Sequence, residues 1–112
     1  MFKVETQKKI KWPVVVSIPR DGGEVTKATF TGEFKVIPTA EFNAIYDNGG
    51  NDGDMIRNTM IGWGNDVSDA EGNPMEFNPE NLDKLIAIPY VRSAMVAAYI
   101  DLSHGRKATA KN

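Results

Sequence analysis

Cysteine is absent from the chain. Its absence excludes disulfides, thiolate metal sites and a cysteine nucleophile, and is compatible with a cytoplasmic setting. Histidine is almost absent too: His104 stands alone in a polar stretch near the C-terminus. A Ser-His-Asp arrangement needs its imidazole held by a third group, and the neighbouring sequence offers none. No apolar run approaches the roughly 20 residues that span a bilayer. Residues 1–6 lack the apolar stretch of a signal peptide, so no membrane association is expected. Carboxylates are plentiful, but nothing marks two of them as buried together. The expectation is a protein that is not an enzyme and uses no cofactor.

Two acidic stretches invite a calcium reading. An EF-hand loop needs glycine at its sixth position and a carboxylate at its twelfth. Counted from Asp47 those positions hold Asp52 and Asn58. Counted from Asp66 the twelfth is Phe77, which offers no oxygen ligand. Both stretches read as turns, and no metal site is expected.

What is present is ordinary for one globular domain: 112 residues, 41% hydrophobic and 25% charged. The net charge of -2 conceals a strong pattern. Residues 1–40 carry a balance of +3, residues 41–83 one of -9 with Arg57 their sole base, and residues 84–112 one of +4. The acidic middle disfavours nucleic-acid binding there, because phosphate affinity rests on Lys and Arg. The pattern either solvates loops, steers copies of the chain head to tail, or attracts a basic partner.

Over residues 10–18 the apolar side chains Ile10, Trp12, Val14, Val16 and Ile18 alternate with Lys9, Lys11, Pro13, Val15 and Ser17. Period two with β-branched residues predicts a half-buried strand, and Pro13 points to an edge or a bulge. Residues 19–23, Pro-Arg-Asp-Gly-Gly, form a turn, and a second alternating run carries Phe30, Phe34 and Val36. The two make a hairpin whose Trp12, Val14, Val16, Phe30 and Phe34 face helices, and Phe2 with Val4 offers a short third strand. Helices follow. Phe42, Ile45 and Tyr46 share one face after Pro38-Thr39, and residues 47–50 stop that helix. Asp52 or Asp54 caps a second, with Met55, Ile56, Thr59 and Met60 on one side. Residues 62–74 read as a polar loop. Asn78-Pro79 starts a helix bearing Leu82, Leu85 and Ile86, and Pro89 separates it from a last one over residues 90–103. The fold class is α+β: an N-terminal antiparallel hairpin, extendable to three strands, then three or four short helices. Residues 1–103 form the single domain and residues 104–112 a flexible basic tail.

Two local patterns suggest ligands. Gly62-Trp63-Gly64 lacks phosphate-loop spacing; Trp63 is either a stacking platform or a core anchor entering through a tight loop. Lys8, Lys9 and Lys11 around Trp12 could meet nucleic acid, but such a stripe also protects an edge strand from aggregation. No nucleic-acid partner is expected.

The stretch from Gly62-Trp63-Gly64 onward continues with Val67-x-Asp69-x-x-Gly72, then Phe77-x-Pro79-Glu80-Asn81-Leu82, Leu85-Ile86, the Pro89 break, and a helix bearing Ala94 and Tyr99. This string resembles the small tail assembly chaperones of long-tailed bacteriophages, and the preceding hairpin and the helix near Glu41-Phe42 extend the similarity over most of the chain. The resemblance implies a non-catalytic protein of the host cell cytoplasm. It would coat the long helical tape measure protein until the tail tube forms, and would self-associate. Some members have a frameshifted longer form. It supplies no catalytic residues to carry over. A structural tail or neck subunit, or a small ligand-binding module using Trp63 and the acidic loop, are the alternatives.

The helices carry more apolar residues than one small sheet can cover: Phe42, Ile45 and Tyr46; Leu82, Leu85, Ile86 and Ile88; Tyr90, Val91, Met95 and Tyr99. The surplus is expected as an exposed protein-binding patch led by Met95 and Tyr99, with Tyr46 and Ile86 beside them. The competing reading places Met95 and Tyr99 in the core.

Overall fold

The computed structural model describes residues 1–5 and 9–108. The chain runs β1 (Ile10–Pro19), a 3-10 turn (Asp21–Gly23), β2 (Val25–Phe34), α1 (Thr39–Asp47), α2 (Asp52–Thr59), β3 (Met60–Trp63), α3 (Pro79–Ile86) and α4 (Pro89–Ser103). The sheet is antiparallel in the order β1-β2-β3. The α+β reading therefore holds.

The hairpin is in the register that the alternation demands, with Val14 opposite Phe30 and Ile10 opposite Phe34. Gly22 and Gly23 take φ of 79° and 84° in the connection, conformations that cost a glycine little. Val14, Val16, Phe30 and Phe34 are buried, and Trp12 is half-buried against them. Helix α4 lies across β1 and covers this face. Its buried residues, Met95, Ala98, Tyr99 and Leu102, follow the three-four spacing of one helical stripe.

The third strand is a correction. Phe2 and Val4 form no strand and are 87% and 84% exposed. The strand that pairs with β2 is β3, in a stretch read as a helix end and a loop. Gly62 pairs with Glu33 and Met60 with Phe34, so Ile61 is the extra residue of a bulge and stands 38% exposed. A Cβ on Gly62 would meet the Glu33 carboxylate at 2.7 Å, so a larger residue there would displace that carboxylate. Four residues in a strand are too few for a period to be read; the partner strand supplies the reason for the conformation.

The caps also differ in detail. Asn51, rather than an aspartate, caps α2: its side chain accepts the Asp54 N–H at 3.1 Å, while Asp54 accepts the Asn51 N–H at 2.9 Å. This reciprocal pair satisfies two amides that the helix cannot. No side chain caps α1, whose N-cap position is Pro38. Asn78 caps α3 as expected, accepting the Asn81 N–H at 2.8 Å. The α3–α4 corner bends by 104°, and no single helix among the described residues is long and apolar enough to cross a membrane. Of the expected tail, residues 104–108 begin with a turn in which the Arg106 N–H donates to the Asp101 carbonyl at 2.8 Å. Residues 109–112 lie outside the described residues, as does Lys8 of the lysine stripe.

Candidate functional site

Three of the four residues expected on a binding patch are in the core. Met95 is 0% exposed, Tyr99 2% and Ile86 5%. The reason is geometric: α4 crosses β1, so the stripe bearing Met95 and Tyr99 becomes the contact face of the helix. Ile86 packs down onto α2, where a Cβ on Gly53 would meet it at 2.9 Å. The apolar surplus does exist. It sits at the α3–α4 corner, where Ile88 and Tyr90 are 38% and 39% exposed.

Tyr99 nevertheless forms the floor of a cleft. The start of α1 and the last turns of α4 wall a cavity of about 440 Å³, lined by Val36, Ile37, Phe42, Tyr99 and Ile100 with Asn43, Ser103 and His104 at its polar margin. Tyr99 is fixed from two sides. Its ring stacks on Phe42, with centroids 6.1 Å apart and planes 9° from parallel, and its hydroxyl accepts the buried Ile37 N–H at 3.1 Å. A backbone amide leaving the sheet thus finds its acceptor in α4, 62 residues away. His104 is not an isolated tail residue: its Nδ1 lies 2.8 Å from the Ile100 carbonyl.

Helix α1, the outer wall, buries no residue completely. Phe42 touches Tyr99 and Tyr46, and the Tyr46 hydroxyl donates to Asp52 Oδ1 at 2.8 Å. Burial, and then this bond to a carboxylate, push the Tyr46 phenol up to about 12, because both disfavour the phenolate. Tyr46, the fourth expected residue, is half-buried beside the cleft rather than in it.

Several of the acidic residues that suggested calcium are engaged in a turn, a helix cap, a strand amide or an ion pair. Asp69 Oδ1 accepts the N–H groups of Glu71 and Asn73, each at 2.9 Å, and these bonds hold its carboxyl below the usual range. Asp66 accepts the Thr31 N–H at 3.0 Å. Asp54 and Asp83 flank Arg57 at 3.0 and 2.8 Å, tying α2 to α3 and raising the guanidinium pKa further. Among the described residues no group of three or more histidine or carboxylate side chains is placed to hold a metal ion. Trp63 is a core anchor. Its Nε1–H donates to the Met75 carbonyl at 2.8 Å, and its ring meets Phe30 and Phe77 edge-on.

The cleft between α1 and α4 offers shape and apolar area. Compared with known proteins, the chain matches no protein-family model, no curated protein and no solved structure.

Proposed function

We propose that the chain is a non-catalytic tail assembly chaperone of a long-tailed phage, binding the tape measure protein and itself in the host cytoplasm. The observation that supports the tape measure half is the cleft between α1 and α4. A groove walled by two helices and floored by Ile37, Tyr99 and Ile100 suits the apolar stripe of a third helix. Its lining holds no carboxylate, lysine or arginine, in keeping with recognition by apolar contact. The sequence string from Gly62 to Tyr99 supplies the phage context.

The test is binding of the purified chain to the product of the long, coiled-coil-rich reading frame expected downstream. Ile100→Asp places a carboxylate on the cleft floor at a half-buried position and is expected to abolish that binding while the circular dichroism spectrum is retained. Equal binding by this variant and the parent overturns the assignment of the cleft. Failure of the parent to bind overturns the tape measure reading. Presence of the chain in purified mature particles would instead favour a structural tail or neck subunit.

A further inference from the structure

The two edges of the sheet are finished differently. Thr31 accepts the Gly64 N–H at its carbonyl and gives its own N–H to Asp66, and the Lys35 N–H donates to the Thr59 carbonyl. Odd-numbered residues of β2 therefore turn their backbone groups away from β1, toward the lane that β3 occupies. Their opposite numbers on β1 point the other way, off the free edge of the sheet. These are Lys11, Pro13, Val15, Ser17 and Pro19. Two of the five are prolines, which have no N–H to offer, so that edge is protected against strand addition.

The β2 edge has no such protection. Strand β3 pairs only with residues 32–34, and Asp66 takes the next N–H, at Thr31. Beyond it Val25, Lys27 and Thr29 aim their N–H and C=O groups into a lane that holds no strand among the described residues. That lane borders a mostly apolar groove of about 420 Å³, lined by Val16, Phe30, Leu85, Ile88 and Tyr90 and also by Asp66 and Ser68. A bare strand edge beside an apolar groove is the geometry that accepts an extended segment with alternating apolar side chains.

The chain itself carries such a segment. In residues 1–5, Phe2 and Val4 fall on one side of an extended backbone and Lys3 and Glu5 on the other. Both apolar side chains are almost fully exposed. Five residues match the five of the open edge, 25–29. The arm cannot serve its own edge. Ile10 lies opposite Phe34, so the lane beside Thr29 is about 17 Å along the sheet and about 10 Å across it, roughly 20 Å in all. From Glu5 to Ile10 the backbone spans at most about 18 Å, and a straight path would pass through the sheet.

We propose that residues 1–5 of one copy add as a strand to residues 25–29 of a second copy, seating Phe2 and Val4 in its groove. Each copy can give an arm and receive one. The proposal deepens the self-association half of the function above and is independent of the tape measure half.

The test uses the full chain, whose lack of cysteine makes single-cysteine variants clean reporters. Oxidising a mixture of Val4→Cys and Ile88→Cys is expected to give the mixed disulfide dimer. A Val4→Cys and Glu71→Cys mixture should give at least tenfold less. In light scattering over a concentration series, Phe2→Asp/Val4→Asp is expected to raise the dissociation constant at least tenfold, with an unchanged melting temperature at dilutions where the parent is also monomeric, because residues 1–5 lie outside the core. Tyr90→Asp, on the receiving side, should do the same. A parent that stays monomeric overturns the proposal. So does association indifferent to the arm variant, or a Val4→Cys/Ile88→Cys double variant that closes its disulfide within one copy. Binding of the tape measure product by the arm variant is read separately. Its retention alongside lost self-association separates failure of the one idea from failure of the other.

Discussion

Replacing Tyr99 by phenylalanine removes a single oxygen atom and leaves the ring in place. The stack on Phe42 and the tilted contact with Phe34, centroids 6.4 Å apart, survive. What is lost is the acceptor of the Ile37 N–H, a buried donor at the point where the chain leaves β2 for α1. Stranding a buried donor costs about 1–3 kcal/mol, because the amide has given up water and receives nothing in return. Against a typical domain stability of about 5–15 kcal/mol the variant stays folded. Its melting temperature should fall by roughly 4–8 °C per kcal/mol lost. The assay is urea unfolding followed by circular dichroism, in which an unchanged m-value with a lowered midpoint isolates stability from compactness. A loss below about 0.5 kcal/mol would refute the reasoning, since it would mean that water reaches Ile37 and substitutes for the hydroxyl.

Phe30→Ala, at a site 7% exposed and edge-on to Trp63, should cost roughly 3–5 kcal/mol in the same assay. A near-neutral result would contradict the assigned strand face. Asn51→Ala removes half of the capping box on α2 and should cost about 1 kcal/mol, whereas Asn51→Asp should largely preserve it. In a spectrophotometric phenol titration Tyr46 should ionise about two pH steps above a free tyrosine, near 12, and lower in Asp52→Asn. Its folded-state value lies above the unfolded one, so its contribution to stability is intact below pH 10 and is lost as the pH rises from there through 12. Equal titration in the parent and in Asp52→Asn would dismiss the Asp52 hydroxyl bond.

Much of the local structure is legible in the residues alone. The period of two from Ile10 to Ile18, the Asp-Gly-Gly turn and the Asn78-Pro79 start each carry their cause within a few neighbours, so the hairpin and the last two helices could be read directly. The parity of β1 goes further, because it puts Pro13 and Pro19 on the same edge without reference to any other element. Tertiary structure decided the rest. β3 is too short to show a period and exists because β2 offers it a ladder. Helical spacing showed that Met95 and Tyr99 share a stripe, but a stripe is equally fit for a core or a partner. Only the crossing of α4 over β1 assigned it to the core and left Ile88 and Tyr90 outside. The acidic residues followed the same logic: their charges are plain in the sequence, yet the amides that Asp66 and Asp69 satisfy come from strand and turn backbone placed by the fold. Sequence determines what each segment can bury and pair, whereas which side of it meets solvent depends on neighbours distant along the chain.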